Sequence, residues 1–267
     1  MIPLITHHGT PGVGVEYEPF VRAAAERGLR HVAYSRPGYA DAPRQPGRAV
    51  ASCAADVERM LDELGAERCY TLGWSGGGPH ALACAALLPE RVIKAATIAG
   101  VAPFDADGLD FLAGMGEENI EEFAAVEAGE EALRAYLERE AAGLRDVTAE
   151  QVVAAFGDLI GEADRAVLTG EYADYVAGSM RRAVSGGVDG WLDDDLAFRA
   201  AWGFDLGAIE VPVTVWQGDD DRMVPFAHGK WLAAHVSGAR AELRPGEGHI
   251  SISLAHYGEI LDDLLAG

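Results

Sequence analysis

Lysine is nearly missing: the chain has only Lys94 and Lys230. Cysteine is as scarce, with Cys53, Cys69 and Cys84 spaced like neither a zinc site nor a disulfide framework. Such usage favours a reducing compartment. No apolar run approaches the roughly 18 residues a membrane span needs. The start, Met1 to Gly9, has no basic region followed by an apolar stretch of signal-peptide length. The expected location is the cytoplasm. Positive charge is also short, 21 Lys+Arg against 43 Asp+Glu, for a formal net charge of −22. Nucleic acid and anionic membranes would be repelled, so neither is an expected partner. Arginine in place of lysine, with abundant Ala and Gly, reads as coding bias from a GC-rich genome rather than adaptation to high salt.

The 267 residues suit one large domain, or a core carrying an inserted subdomain. There is no internal repeat or low-complexity tract. The first part alternates short apolar runs with helical patterns, the signature of a parallel sheet with crossover helices. Strands are predicted at Ile2 to His7, His31 to Tyr34, Cys69 to Leu72 and Ile93 to Ile98. Helices are predicted near Tyr17 to Ala25, from about Pro79 to Leu88, and where Val50, Ala54, Val57, Leu61 and Leu64 share one face closed by Gly65. From Asp105 to Asp205 no strand pattern appears and helical stretches such as Glu130 to Ala142 dominate. That segment holds 24 acidic residues against seven arginines and no lysine. Its charge reads as a solvated outer face. Alternation resumes with a strand at Val213 to Gln217, a helix near Phe226 to His235, a strand at Ala241 to Arg244 and a last helix from about Leu254. The expected organisation is a mostly parallel α/β core over 1–104 and 206–267, interrupted by a helical insertion over 105–205.

Gly73-Trp74-Ser75-Gly76-Gly77 fits Gly-x-Ser-x-Gly, a pattern that means little by itself in a glycine-rich chain. Here it directly follows a predicted strand and precedes a predicted helix, as a nucleophile elbow requires. Small neighbours let the backbone turn sharply, and the helix start offers free N–H groups to a developing oxyanion. A serine hydroxyl needs a base to take its proton during attack. Of eight histidines, His7 and His8 lie in the first turn, His80 follows the elbow, His31 starts a strand, and His228, His235 and His256 fall on helices expected at the surface. His249 stands apart in the flexible turn Gly246-Glu247-Gly248-His249, just past the last predicted strand. From there it can reach across the carboxyl ends of a parallel sheet, where such folds place ligands.

A carboxylate should orient that imidazole. Asp219, Asp220 and Asp221 end another strand, and position in the turn favours Asp221, since the earlier acids suit capping the turn. The order Ser75, Asp221, His249 follows. The N–H of Gly76 and, from the His8-Gly9-Thr10-Pro11-Gly12 turn, that of Thr10 are the candidate oxyanion donors, Pro11 having none to give. Trp74, Trp191, Phe198 and Trp202 are candidate substrate-pocket residues, with core packing the competing role for each.

These segments, with Ser35-Arg36-Pro37-Gly38-Tyr39 and Gly218 through Pro225, make the chain similar to the α/β-hydrolase superfamily. The resemblance is to its capped subgroup of proline iminopeptidases, non-haem haloperoxidase-like esterases and carbon–carbon bond hydrolases. The resemblance spans nearly the whole chain. It implies that 105–205 is a helical cap closing over the site, and that the strands members place before His-Gly are shortened or missing here. Three details depart from the pattern: that start, Ser35-Arg36-Pro37-Gly38 in place of Asp-Arg-Gly, and an elbow unlike the iminopeptidases' Gly-Gly-Ser-Trp-Gly. Serine rather than aspartate at position 75 argues against dehalogenase or epoxide hydrolase chemistry.

The expected function is a serine hydrolase cleaving a small acyl substrate, most simply an ester, with no cofactor and no metal. The alternatives on the same triad are carbon–carbon or amide hydrolysis, the former calling for a basic pocket residue such as Arg181, Arg182 or Arg199. A non-catalytic ligand-binding protein is the rival of a different class. The sequence specifies no oligomeric state.

Overall fold

In the computed structural model, which describes residues 1–266, six strands build one sheet. They are β1 (Ile2–His7), β2 (Leu29–Ala33), β3 (Cys69–Trp74), β4 (Val92–Ile98), β5 (Val213–Gly218) and β6 (Arg240–Arg244). Their order is β2-β1-β3-β4-β5-β6, and every neighbouring pair is parallel. Parallel neighbours need crossovers, which is why helical patterns separate the strands in the sequence. β5 is buried along its whole length and β3 up to Trp74. Strands covered on both faces lack the apolar–polar alternation of a one-sided sheet.

Two helices, α1 (Glu18–Glu26) and α11 (Ser251–Leu265), cover one face, where Ala24, Ile260 and Leu261 pack with Leu4, Leu72 and Ile98. On the other face lie α2 (Cys53–Glu63), α3 (Gly78–Leu87) and α10 (Phe226–His235), whose Leu61, Leu82 and Leu232 pack with Ile5 and Val215. Leu4 and Ile5 thus serve opposite cores, as adjacent strand residues must. The chain leaves β1 toward β2 on one side and returns to β3 on the other. The carboxyl ends of β1 and β3 therefore flank the crevice at a topological switch point.

Between β4 and β5 run α4 (Glu117–Ala128), α5 (Glu130–Leu144), α6 (Ala149–Ala155), α7 (Glu162–Val167), α8 (Gly170–Ala183) and α9 (Asp189–Arg199). No strand occurs in this stretch, and the predicted strands and helices elsewhere shift by a few residues at most. Two expectations need correction. The acidic segment is not uniformly a solvated face: Asp164, Asp193, Asp194 and Asp195 are buried. Their partners come from distant parts of the chain, so charge counting along the segment missed them. His228 is not on the surface either. It is fully buried, accepting from the Ala102 N–H at Nδ1 (3.2 Å) and meeting the Phe111 carbonyl at Nε2 (2.8 Å).

Candidate active site

β3 delivers its chain to the switch point and turns abruptly. Ser75 has a φ of 55°, in the left-handed region that a non-glycine residue enters only under constraint. The glycines around it are fixed by close approach. A Cβ on Gly73 would lie 2.2 Å from the Gly77 carbonyl oxygen, and one on Gly77 2.1 Å from the His7 carbonyl oxygen. The elbow is therefore jammed against the end of β1 and continues through Ser75–Gly77 into α3.

His249 lies past β6, buried, with Nδ1 at 3.1 and 2.9 Å from the two carboxylate oxygens of Asp221. Asp221 is itself held: Oδ1 accepts from the N–H groups of Met223 (3.0 Å) and Val224 (2.8 Å), and Oδ2 from Gln217 Nε2 (2.9 Å). Asp219 and Asp220 stay in the turn, where Asp219 Oδ1 accepts from the Gly246 N–H and the Asp220 N–H meets the Glu247 carbonyl. Burial works against a charged His249 imidazole, but the Asp221 carboxylate outweighs it and Asp164 adds to its effect, so its pKa stands above the ordinary 6.5. Trp74 Nε1 donates to the His249 carbonyl at 3.0 Å. No hydrogen bond joins Ser75 to His249 among the described residues; both line one cavity of about 180 Å³.

The turn after β1 is tied down by ion pairs that sequence reasoning did not foresee. Arg36 Nη1 donates to the His8 carbonyl (2.6 Å), and Nη2 donates to the Gly9 carbonyl and Thr10 Oγ1 (both 3.0 Å). Asp194 of α9 pairs with Arg36 (2.6 Å) and Arg48 (2.7 Å) and accepts from Tyr39 OH (2.8 Å) and Thr10 Oγ1 (2.7 Å). Burial opposes ionisation of Asp194, yet the two guanidinium groups hold its carboxyl well below the usual range. Thr10 Oγ1 packs against Gly76, where an added Cβ would come within 2.5 Å. The Thr10 N–H has no protein acceptor among the described residues.

Of the aromatic candidates, Trp74 lines the larger cavity, and Phe198 lines a smaller one of about 60 Å³ that also opens on Ser75, Thr10 and Gly76. Trp191 and Trp202 border neither. Trp191 Nε1 donates to Glu122, and Trp202 packs by Phe204 in the core. The larger cavity is walled instead by Tyr17, Phe20, Phe156, Tyr172, Tyr175 and Tyr257. Neither cavity is bordered by a lysine or arginine. Arg181 is committed to the Val147 carbonyl (2.5 Å), Arg199 pairs with Glu127 at the surface, and Arg182 is exposed. In the smaller cavity burial pushes the carboxyls of Glu122 and Asp195 up, Asp195 further through the charge of Glu122.

A strand–Ser–helix elbow and a carboxylate-held histidine thus meet at the switch point of a parallel sheet. The sequence-family model described as alpha/beta hydrolase fold matches residues 2–255, and the chain belongs to that family. It is 27% identical over 270 residues to a non-heme chloroperoxidase of Streptomyces lividans, covering 99% of this chain and 91% of that one. Among solved structures it is similar to a bromoperoxidase from Bacillus anthracis, with a TM-score of 0.71, 22% identity and coverage of 99% and 90%. An esterase from Exiguobacterium antarcticum gives a TM-score of 0.69 at 20% identity, with coverage of 100% and 91%. No helix among the described residues is long and apolar enough to cross a membrane.

Proposed function

We propose that the chain is a serine hydrolase for a small, uncharged acyl substrate, most simply a carboxylic ester. The observation that carries this reading is the pairing of His249 with Asp221 beside a constrained, positive-φ Ser75 in a shared cavity. Ser75 Oγ attacks the carbonyl carbon as His249 Nε2 takes its proton, and Asp221 at Nδ1 stabilises the imidazolium. The N–H groups of Thr10 and Gly76 receive the negative charge on the carbonyl oxygen. Collapse breaks the bond to the leaving group, which takes the proton from Nε2. Water, activated by the same histidine, then attacks the acyl-enzyme and releases the acid.

The substrate class rests on what lines the cavities. Aromatic walls and the lack of a bordering cation favour an apolar or aryl group and disfavour an anionic one. This weakens the alternative of carbon–carbon hydrolysis in an acidic substrate. Phe156, Tyr172, Tyr175 and Met180 from the helical insertion help to wall the larger cavity, and Phe123 and Phe198 the smaller, which supports 105–205 acting as the cap. The test is steady-state hydrolysis of nitrophenyl esters of graded acyl length by wild type and Ser75→Ala. The reading expects turnover of neutral esters that Ser75→Ala abolishes with the fold intact. Turnover surviving that substitution, or none by folded wild type, would refute it. Assaying the same preparation with peroxide and halide tests the activity for which its relatives are named.

A further inference from the structure

Asp164 is the only side chain of α7 that is fully buried, and its carboxylate lies beneath the loop carrying His249. Oδ2 accepts from the His249 N–H at 3.0 Å, and Oδ1 accepts from the N–H groups of Ile250 and Ser251, both at 2.8 Å. Those donors open α11, the helix starting at Ser251, so the carboxylate meets free amide groups at a helix start from outside that helix. The approach is close enough that a Cβ on Gly248 would lie 2.5 Å from Asp164. A buried carboxylate is costly unless its acceptor sites are filled, and here three backbone donors fill them.

We propose that Asp164 is a positioning residue for His249, so that the general base is registered only when the helical insertion is seated on the core. The inference rests on the reading of His249 as the base of a serine hydrolase. Asp221 grips the imidazole through its side chain and Asp164 grips the same residue through its backbone. The two carboxylates reach it from the β5–α10 turn and from α7. Other charged or titratable groups around this loop face elsewhere. Glu247 accepts from Ser251 Oγ and lies 3.4 Å from His256, Asp219 accepts from the Gly246 N–H, and Asp220 packs toward Gly161. Tyr172, whose hydroxyl is held un-ionised by burial, lies near Asp164 on α8. Asp164 thus adds a negative charge at the backbone of His249, in the direction that favours the imidazolium.

The test is Asp164→Asn. Its carbonyl oxygen can keep the Ile250 and Ser251 contacts, while an amide NH2 would face the His249 N–H, and the charge is lost. Asp164→Ser, smaller and without that clash, is made alongside in case the amide prevents folding. Glu162→Gln, at an exposed position of the same helix, controls for general loss of charge. The proposal expects folded variants at position 164 whose kcat falls about ten-fold or more, as misplacement of a catalytic group does. KM should change little, and the acid limb of the pH–rate profile should move to lower pH. A wild-type kcat and pH profile in a folded variant at position 164, or an equal effect of Glu162→Gln, would overturn it. Activity that survives Ser75→Ala would instead remove the underlying mechanism, so the two failures are told apart.

Discussion

Asp194, on the insertion's last helix, accepts a hydrogen bond from Thr10 Oγ1 at 2.7 Å, although 184 residues separate them. The turn expected to supply the oxyanion donor is thereby fastened to the helical layer through the same carboxylate that neutralises Arg36 and Arg48. Replacing Asp194 by Ala leaves two buried guanidinium groups without their counter-charge. Removing one partner of a buried pair costs about 3–5 kcal/mol. Asp194→Ala should lower the unfolding free energy by about that much. Urea denaturation followed by tryptophan fluorescence measures it, and a loss below about 1 kcal/mol, the size of an exposed pair, would contradict the role assigned to this network.

Activity should fall on the acid side with an apparent pKa above 6.5. In the proposed mechanism His249 must be neutral to accept the serine proton, and Asp221, outweighing burial, holds its pKa up. Asp221→Asn removes that charge, so the acid limb should shift to lower pH while kcat drops by about a thousand-fold or more. The pH dependence of kcat/KM for wild type and variant measures both. An unshifted limb would place the titrating group elsewhere.

Stability has the opposite dependence for the histidines buried uncharged. Burial, helped by the nearby Arg36 charge, lowers His7 to about 3 and holds His80 well below 6.5. The unfolded chain binds protons at these positions below pH 6.5 and the native chain does not. Their contribution is therefore complete above pH 6.5 and is lost as pH falls toward the folded values. Each can add a slope of up to about 1.4 kcal/mol per pH unit. His249 works the other way: its raised pKa stabilises below 6.5 and that share disappears as pH rises through its folded value. Five histidines are held low, His7, His8, His31, His80 and His228, against His249, Glu122 and Asp195 held high, so unfolding free energy should decline from pH 7 to pH 5, and His80→Gln should flatten the slope. Denaturation curves that are identical across this range would refute the neutral state of the buried pair.

The strands, the crossover helices and the position of the elbow were legible because each is a local signal. A two-sided strand shows as an apolar run, and Ser75 follows β3 directly because Gly73 and Trp74 are the strand's own end. Asp221 was separable from Asp219 and Asp220 because only the last acid of that turn has left the strand far enough to meet His249. Asp164 and Asp194 were not legible. Their roles depend on partners 85 and 158 residues away, at His249 and Arg36, and in sequence they are two acids among many. Asp193-Asp194-Asp195 did carry a usable sign: three consecutive residues point to all sides of a helix, so a helix packed within the protein must bury at least one of them. Trp191 and Trp202 failed as pocket residues because bulk and apolarity describe a core as well as a cavity wall.

The central claim, that Ser75 is an activated nucleophile, is tested most directly by intact mass spectrometry after treatment with a fluorophosphonate probe. Wild type should gain a single adduct and Ser75→Ala none, with both proteins folded. A folded wild type that stays unlabelled, or equal labelling of Ser75→Ala, would contradict the mechanism and leave a ligand-binding role for the scaffold.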